Sequence, residues 1–114
     1  MKKIFLLVVF LLISLIVKSQ VIPSEGLIIA EFNAPFSGTQ CEYLDKLTDC
    51  DLAKIDISTQ PKLQAKHKIV VVPTLIVFYD GEEVARFQAN IMMKLEATRE
   101  EVQDKIDETI MSNF

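Results

Sequence analysis

Basic residues are in short supply: 12 Lys and Arg face 16 Asp and Glu in 114 residues, for a net charge of −4. A nucleic-acid partner wants clustered Lys and Arg, so the balance excludes that class. Glycine is scarcer, with 3 in the chain, and there is no glycine-rich phosphate loop. There is a single histidine, His67, near a helix end beside lysines, and nothing else supplies ligands at metal spacing. No cofactor is expected. Repeats, low-complexity tracts and linkers are also absent, and the length allows one domain, two at most.

What the chain has in excess is one apolar run. From Ile4 to Val17, 13 of 14 residues are apolar. Lys2 and Lys3 precede the run and Lys18-Ser19-Gln20 follows it. A basic start, a short apolar stretch and small residues at its end make a secretory signal peptide. A membrane-spanning helix needs about 20 apolar residues. Val17 and Ser19 fit the −3 and −1 positions of a cleavage site, so residues 1–19 are expected to leave. An uncleaved segment would instead anchor the protein to the membrane. No cysteine follows the run, which argues against a lipid anchor. The domain of residues 20–114 keeps 9 basic and 16 acidic residues, for a charge of −7. The expected location is periplasmic or extracellular, where Cys41 and Cys50 could pair.

The pattern of residues 20–114 alternates between strand and helix. Leu27 to Asn33 is apolar on both faces and reads as a central strand. Ser37-Gly38-Thr39-Gln40 fits a capping box, predicting a helix to about Leu47 with Tyr43, Leu44 and Leu47 on one face. Asp49-Cys50-Asp51 is a turn, and Leu52, Ala53, Ile55 and Ile57 form the next strand. Pro61 opens a short helix to about His67. A strand follows Pro73, Asp80-Gly81 is a hairpin signal, and Val84 to Ala89 returns. Asn90 to Ala97 is a connection. Thr98-Arg99-Glu100-Glu101 is a second capping box, and Val102, Ile106 and Ile110 share one face of the helix it opens. The order is β-α-β-α-β-β-α. Its first three elements form a parallel unit with a right-handed crossover.

This order resembles the thioredoxin family from about Leu27 to Ile110. Ala53-Lys54-Ile55-Asp56-Ile57, Pro61, Val72-Pro73-Thr74 and Asp80-Gly81-Glu82 follow the family's spacing. Val72-Pro73-Thr74 is similar to its cis-proline loop, and Glu31-Phe32-Asn33-Ala34-Pro35-Phe36 to the segment entering its active site. The resemblance implies an α/β, thioredoxin-like fold: a four-stranded mixed sheet with helices on both faces and the first β-α pair missing. The helix after Ser37 is about two turns shorter than in the family.

The resemblance also places the family's two cysteines on Ser37 and Gln40. Dithiol exchange needs an attacking low-pKa thiol and a resolving thiol one turn on. A hydroxyl and an amide supply neither, so the usual mechanism cannot operate there. Helix capping explains both residues. No histidine is placed to make Ser37 a hydrolytic nucleophile. Cys41 lies one residue further on, either as a lone thiol helped by the helix N-terminus or as a small residue on the helix flank. Nine helical residues span roughly 13 Å and a disulfide wants Cα atoms within about 7 Å. The chain could fold back partway, which leaves a Cys41–Cys50 bond open.

Glu31 shares a strand face with Ile29 and should be buried. It matches the family's buried acid, and Lys54 the lysine that approaches that acid. A buried carboxylate is costly unless paired or neutral, so Glu31 is expected to pair with Lys54 or to hold a proton. Binding is the function that survives. In the family a client peptide lies beside the cis-proline and bonds the backbone of the preceding residue. The matching groove is Phe36, Ser37, Val72, Pro73 and Ala89. Phe36 offers an apolar face where the family often has Trp, and Ala89 stands for its usual Gly. The Asn90–Ala97 segment is about six residues longer than the family's. Its Met92 and Met93 either meet clients or pack over the core.

The first expectation is therefore an exported, redox-inactive binder of a peptide or protein client. An atypical oxidoreductase working through Cys41, alone or with Cys50, is the second. A structural partner subunit is the third.

Overall fold

The computed structural model describes residues 22–113. The signal peptide expected at residues 1–19 lies outside them. Four strands and two helices follow in chain order: β1 Leu27–Asn33, β2 Asp51–Asp56, α1 Pro61–Lys66, β3 Thr74–Tyr79, β4 Glu82–Gln88 and α2 Arg99–Ser112. The sheet order is β2-β1-β3-β4. β1 runs parallel to β2 and antiparallel to β3, and β3 is antiparallel to β4. This is the expected mixed α/β sheet.

The apolar character of β1 has a direct structural outcome. Alternate residues point to opposite faces of a strand, and each face meets its own cluster. Ile28, Ala30 and Phe32 pack with Ile55, Ile57, Ile76 and Phe78, with Leu63 of α1 against them. Leu27 and Ile29 pack with Leu75, Val77, Leu44 and Leu47, and with Val102 and Ile106 of α2. Burying an aliphatic side chain contributes about 1.5–3 kcal/mol, so this central strand ties both layers together.

Local signals set the element ends. Pro61 occupies the first turn of α1, where its missing N–H costs nothing. Thr98 caps α2, its Oγ1 accepting the Glu101 N–H at 3.2 Å. Asp80 and Gly81 have φ of 49° and 85°. Positive φ at both central residues makes the two-residue turn whose twist suits a hairpin. The Asp80 carboxylate also accepts the Gly26 N–H at 2.8 Å, tying the turn to the start of β1.

One expected element does not form. The segment after β1 holds two single 3-10 turns, Pro35–Ser37 and Leu44–Lys46, instead of a helix running to Leu47. Ser37 is therefore not an N-cap, and no Ser37–Gln40 capping box exists. Its hydroxyl donates to Asn33 Oδ1 at 2.7 Å. Gly38 follows in the left-handed region at φ 65°. Donors that a helix would have used go elsewhere, the Cys41 N–H to the Glu31 carboxylate. Local side-chain bonds of this kind compete with helix formation. The irregular segment is held to α2 by Gln103, whose side chain accepts from the Thr48 N–H and donates to the Thr48 carbonyl.

Candidate functional site

The predicted site residues fall in two neighbouring places at the C-terminal end of β1. One is the loop that enters β3. The Val72–Pro73 peptide bond is cis. Pro73 is buried, and its carbonyl accepts the Ala89 N–H at 3.0 Å, which joins the loop to the end of β4. Thr74 Oγ1 donates to the Val71 carbonyl at 2.7 Å and braces the turn from within. Phe32 pairs with Thr74 in the sheet. That register brings Asn33, and the Pro35–Ser37 turn after it, beside Pro73. Phe36 projects from this turn with 68% of its surface exposed. Val72 is buried, yet among the described residues no hydrogen bond engages its N–H or C=O.

The second place is a cleft of about 800 Å3 between the ends of β1 and β2. Glu31, Asn33, Ser37, Gln40, Lys54 and Asp56 are among the residues that line it. It takes in Ser37 from the expected groove and both members of the expected charge pair, but not Phe36, Val72, Pro73 or Ala89.

Asn33 organises the wall shared by the two. Its side-chain oxygen accepts from the Ala34 N–H and the Ser37 hydroxyl, and its amide donates to the Thr39 carbonyl at 2.6 Å. Thr39 Oγ1 in turn donates to the Met93 carbonyl at 2.6 Å. The Asn90–Ala97 connection is thereby drawn over the site, and the Tyr43 hydroxyl holds its far end at the Ala97 carbonyl. Met92 is 69% exposed and Ile91 98%, so Met92 does not pack over the core. Sequence reasoning missed Asn33 and Thr39. The signal available was the tendency of Asn and Thr side chains to bond nearby backbone groups.

Glu31 is 3% exposed. The ladder sets it directly opposite Lys54. Among the described residues the ion pairs are Arg86–Glu83 and Lys105–Glu108, so the expected Glu31–Lys54 pair is not formed. Glu31 Oε2 instead accepts the Cys41 backbone N–H at 2.6 Å. The irregular chain after Ser37 brings that N–H to the carboxylate, a donor a regular helix would have held elsewhere.

Both cysteines are free thiols. Cys41 is buried, and burial pushes its thiol up, with the Glu31 carboxylate adding to the effect. No helix N-terminus stands at Cys41 to oppose this, which corrects the expectation of such help. Cys50 is pushed up to about 11, first by burial and then by Asp51 and Asp49. Burial likewise raises the Tyr43 phenol beside Cys41. Both thiols sit in the apolar cluster under α2.

His67 closes α1 and packs its ring against Phe32 and Phe78, with centroids 5.4 and 5.2 Å away. Burial, then Lys66, lowers its pKa. Among the described residues no group of three or more His, Cys, Asp or Glu side chains could hold a metal ion.

The strand order, the cis-proline loop and the hairpin define a thioredoxin-like protein. The Thioredoxin family model matches residues 17–101, and the chain belongs to the thioredoxin family. It is 31% identical to the thioredoxin of Chlamydia trachomatis over 71 residues, 55% of this chain and 69% of that one. It is 40% identical to the thioredoxin of Mycobacterium bovis over 42 residues, 37% of this chain. That match spans only 36% of the mycobacterial protein's length. A solved structure of a mutant thioredoxin from Halobacterium salinarum superposes with a TM-score of 0.56 at 26% identity, covering 74% of each chain.

Proposed function

We propose that this thioredoxin-family protein is exported and binds an extended peptide or protein segment at its cis-proline groove, without exchanging disulfides. The observation that carries the reading is Val72. Backbone groups at a buried residue are nearly always paired in native proteins, and among the described residues those of the buried Val72 have no partner. An extended client lying beside Pro73 would satisfy both by strand addition. Phe36 offers it an exposed apolar face.

The thiols support the second half of the proposal. Exchange requires a thiolate, and both cysteines are pushed away from that form. The family's attacking position holds Ser37, whose hydroxyl is committed to Asn33.

Two measurements test the reading. Insulin reduction by dithiothreitol should run at its background rate with the protein present. Turnover above background that disappears in Cys41→Ser would overturn the redox-inactive assignment. Carboxymethylated insulin B chain, titrated by NMR, should shift the amide of Val72, and Phe36→Ala should weaken that response. Binding that moves neither Val72 nor its neighbours rules out this groove.

A further inference from the structure

The cleft between β1 and β2 contains two opposite charges that do not meet. Glu31 lies on its floor, 3% exposed, with only Oε2 engaged. Among the described residues nothing bonds Oε1. Lys54 lines the same cleft, exposed, and its ammonium has no ion-pair partner among the described residues. The two residues are direct neighbours in the β1–β2 ladder. Oε1 is not sealed from the cleft, so water can meet it in the free protein and a ligand cation can take the place of that water. The cleft, at about 800 Å3, has room for a partner larger than water.

The remaining lining groups narrow the chemistry. The amide of Asn33 and the hydroxyl of Ser37 are spent on each other and on Thr39. Asp56 Oδ1 accepts from the Ser58 N–H and hydroxyl. Gln40 stands exposed at the rim with no hydrogen bond among the described residues. Among the described residues, Glu31 Oε1 at depth, the Lys54 ammonium, Asp56 Oδ2 and the Gln40 amide remain for a ligand, and Gln60 also lines the cleft.

We infer that this cleft binds a small zwitterion of the amino-acid or short-peptide class, its ammonium on Glu31 Oε1 and its carboxylate on Lys54. The ammonium enters first, because the deep group is the anion. The carboxylate stays near solvent, where Lys54 can reach it. This site lies on the β2 side of β1 and does not depend on the cis-proline groove.

The test is an NMR titration of the protein with glycylglycine, alongside ethylamine and acetate as half-ligands. The Cys41 amide reports on Glu31, since it donates to that carboxylate. Glycylglycine should shift Cys41 and Lys54 together, with a Kd in the range of about 1 mM or tighter, about −4 kcal/mol. Glu31→Gln and Lys54→Met should each weaken it by about tenfold or more. Ethylamine should keep its dependence on Glu31 and lose that on Lys54, which separates the two contacts. Lys54→Met alters an exposed side chain, so it keeps the test decisive should Glu31→Gln fail to fold. No shift at about fifty times that concentration, or shifts indifferent to both substitutions, overturns the proposal. So does a Lys54 ammonium found resting on Glu31 in the free protein.

Discussion

In a Cys41→Ser variant, Cys50 is the lone thiol, and its alkylation rate follows from its surroundings. Only the thiolate attacks iodoacetamide. Burial, with Asp51 and Asp49 on either side, sets the Cys50 pKa at about 11. Near pH 8 that leaves about one molecule in a thousand as thiolate, against about one in four for an ordinary cysteine. The reaction should therefore run roughly 200-fold slower than with an exposed peptide cysteine of ordinary pKa, and partial burial slows it further. It should climb about tenfold per pH unit until near pH 10. Intact-mass spectrometry at timed quenches reads the rate, and a guanidinium-unfolded sample gives the unperturbed value. In Cys50→Ser the same experiment reports Cys41, where burial acts in the same direction. A native rate within about threefold of the unfolded chain's near pH 8, or a plateau before pH 9, would refute the argument.

Two further outcomes follow from the fold. His67 has a folded-state pKa below its unfolded value, so its contribution is whole above about pH 6.5 and is lost as pH falls. Denaturation midpoints should drop more steeply on acidification in the wild type than in His67→Phe, and parallel profiles would contradict this. Thr98→Ala removes the α2 cap and should cost about 1 kcal/mol, while Thr98→Ser should recover most of it. Equal stability of all three proteins in urea would show that the cap contributes nothing.

The strands and their ends were readable because they rest on local rules. The two faces of β1, the Pro61 start, the Asp80-Gly81 turn and the Thr98 cap each depend on a few adjacent residues. The segment after β1 was not readable, because distant groups decide it. Ser37 and Gln40 have the spacing of a capping box, yet Ser37 bonds Asn33 and the Cys41 N–H goes to Glu31. Neither competitor is visible in a four-residue window. The same rearrangement explains the charge pair. Register placed Lys54 opposite Glu31 as expected, but the carboxylate found a backbone donor instead. The site itself was legible in part. Pro73 and its neighbours follow a recognisable spacing, whereas the Asn33–Thr39–Met93 chain that draws the long connection across emerges only in three dimensions.

Among the described residues β2 closes one margin of the sheet. A margin strand offers open amides and carbonyls to any passing copy. Its sequence, Asp51-Leu52-Ala53-Lys54-Ile55-Asp56, sets the terms of that encounter. Two such strands laid antiparallel in full overlap put Asp51 against Asp56 at both ends. A slip of one residue sets Lys54 against Lys54. Like charges directly opposite one another destabilise a strand pair. Three side chains thus discourage stacking of copies into larger sheets, and one of them, Lys54, also faces the cleft. Neutralising it would relax a guard against aggregation as well as alter the cleft.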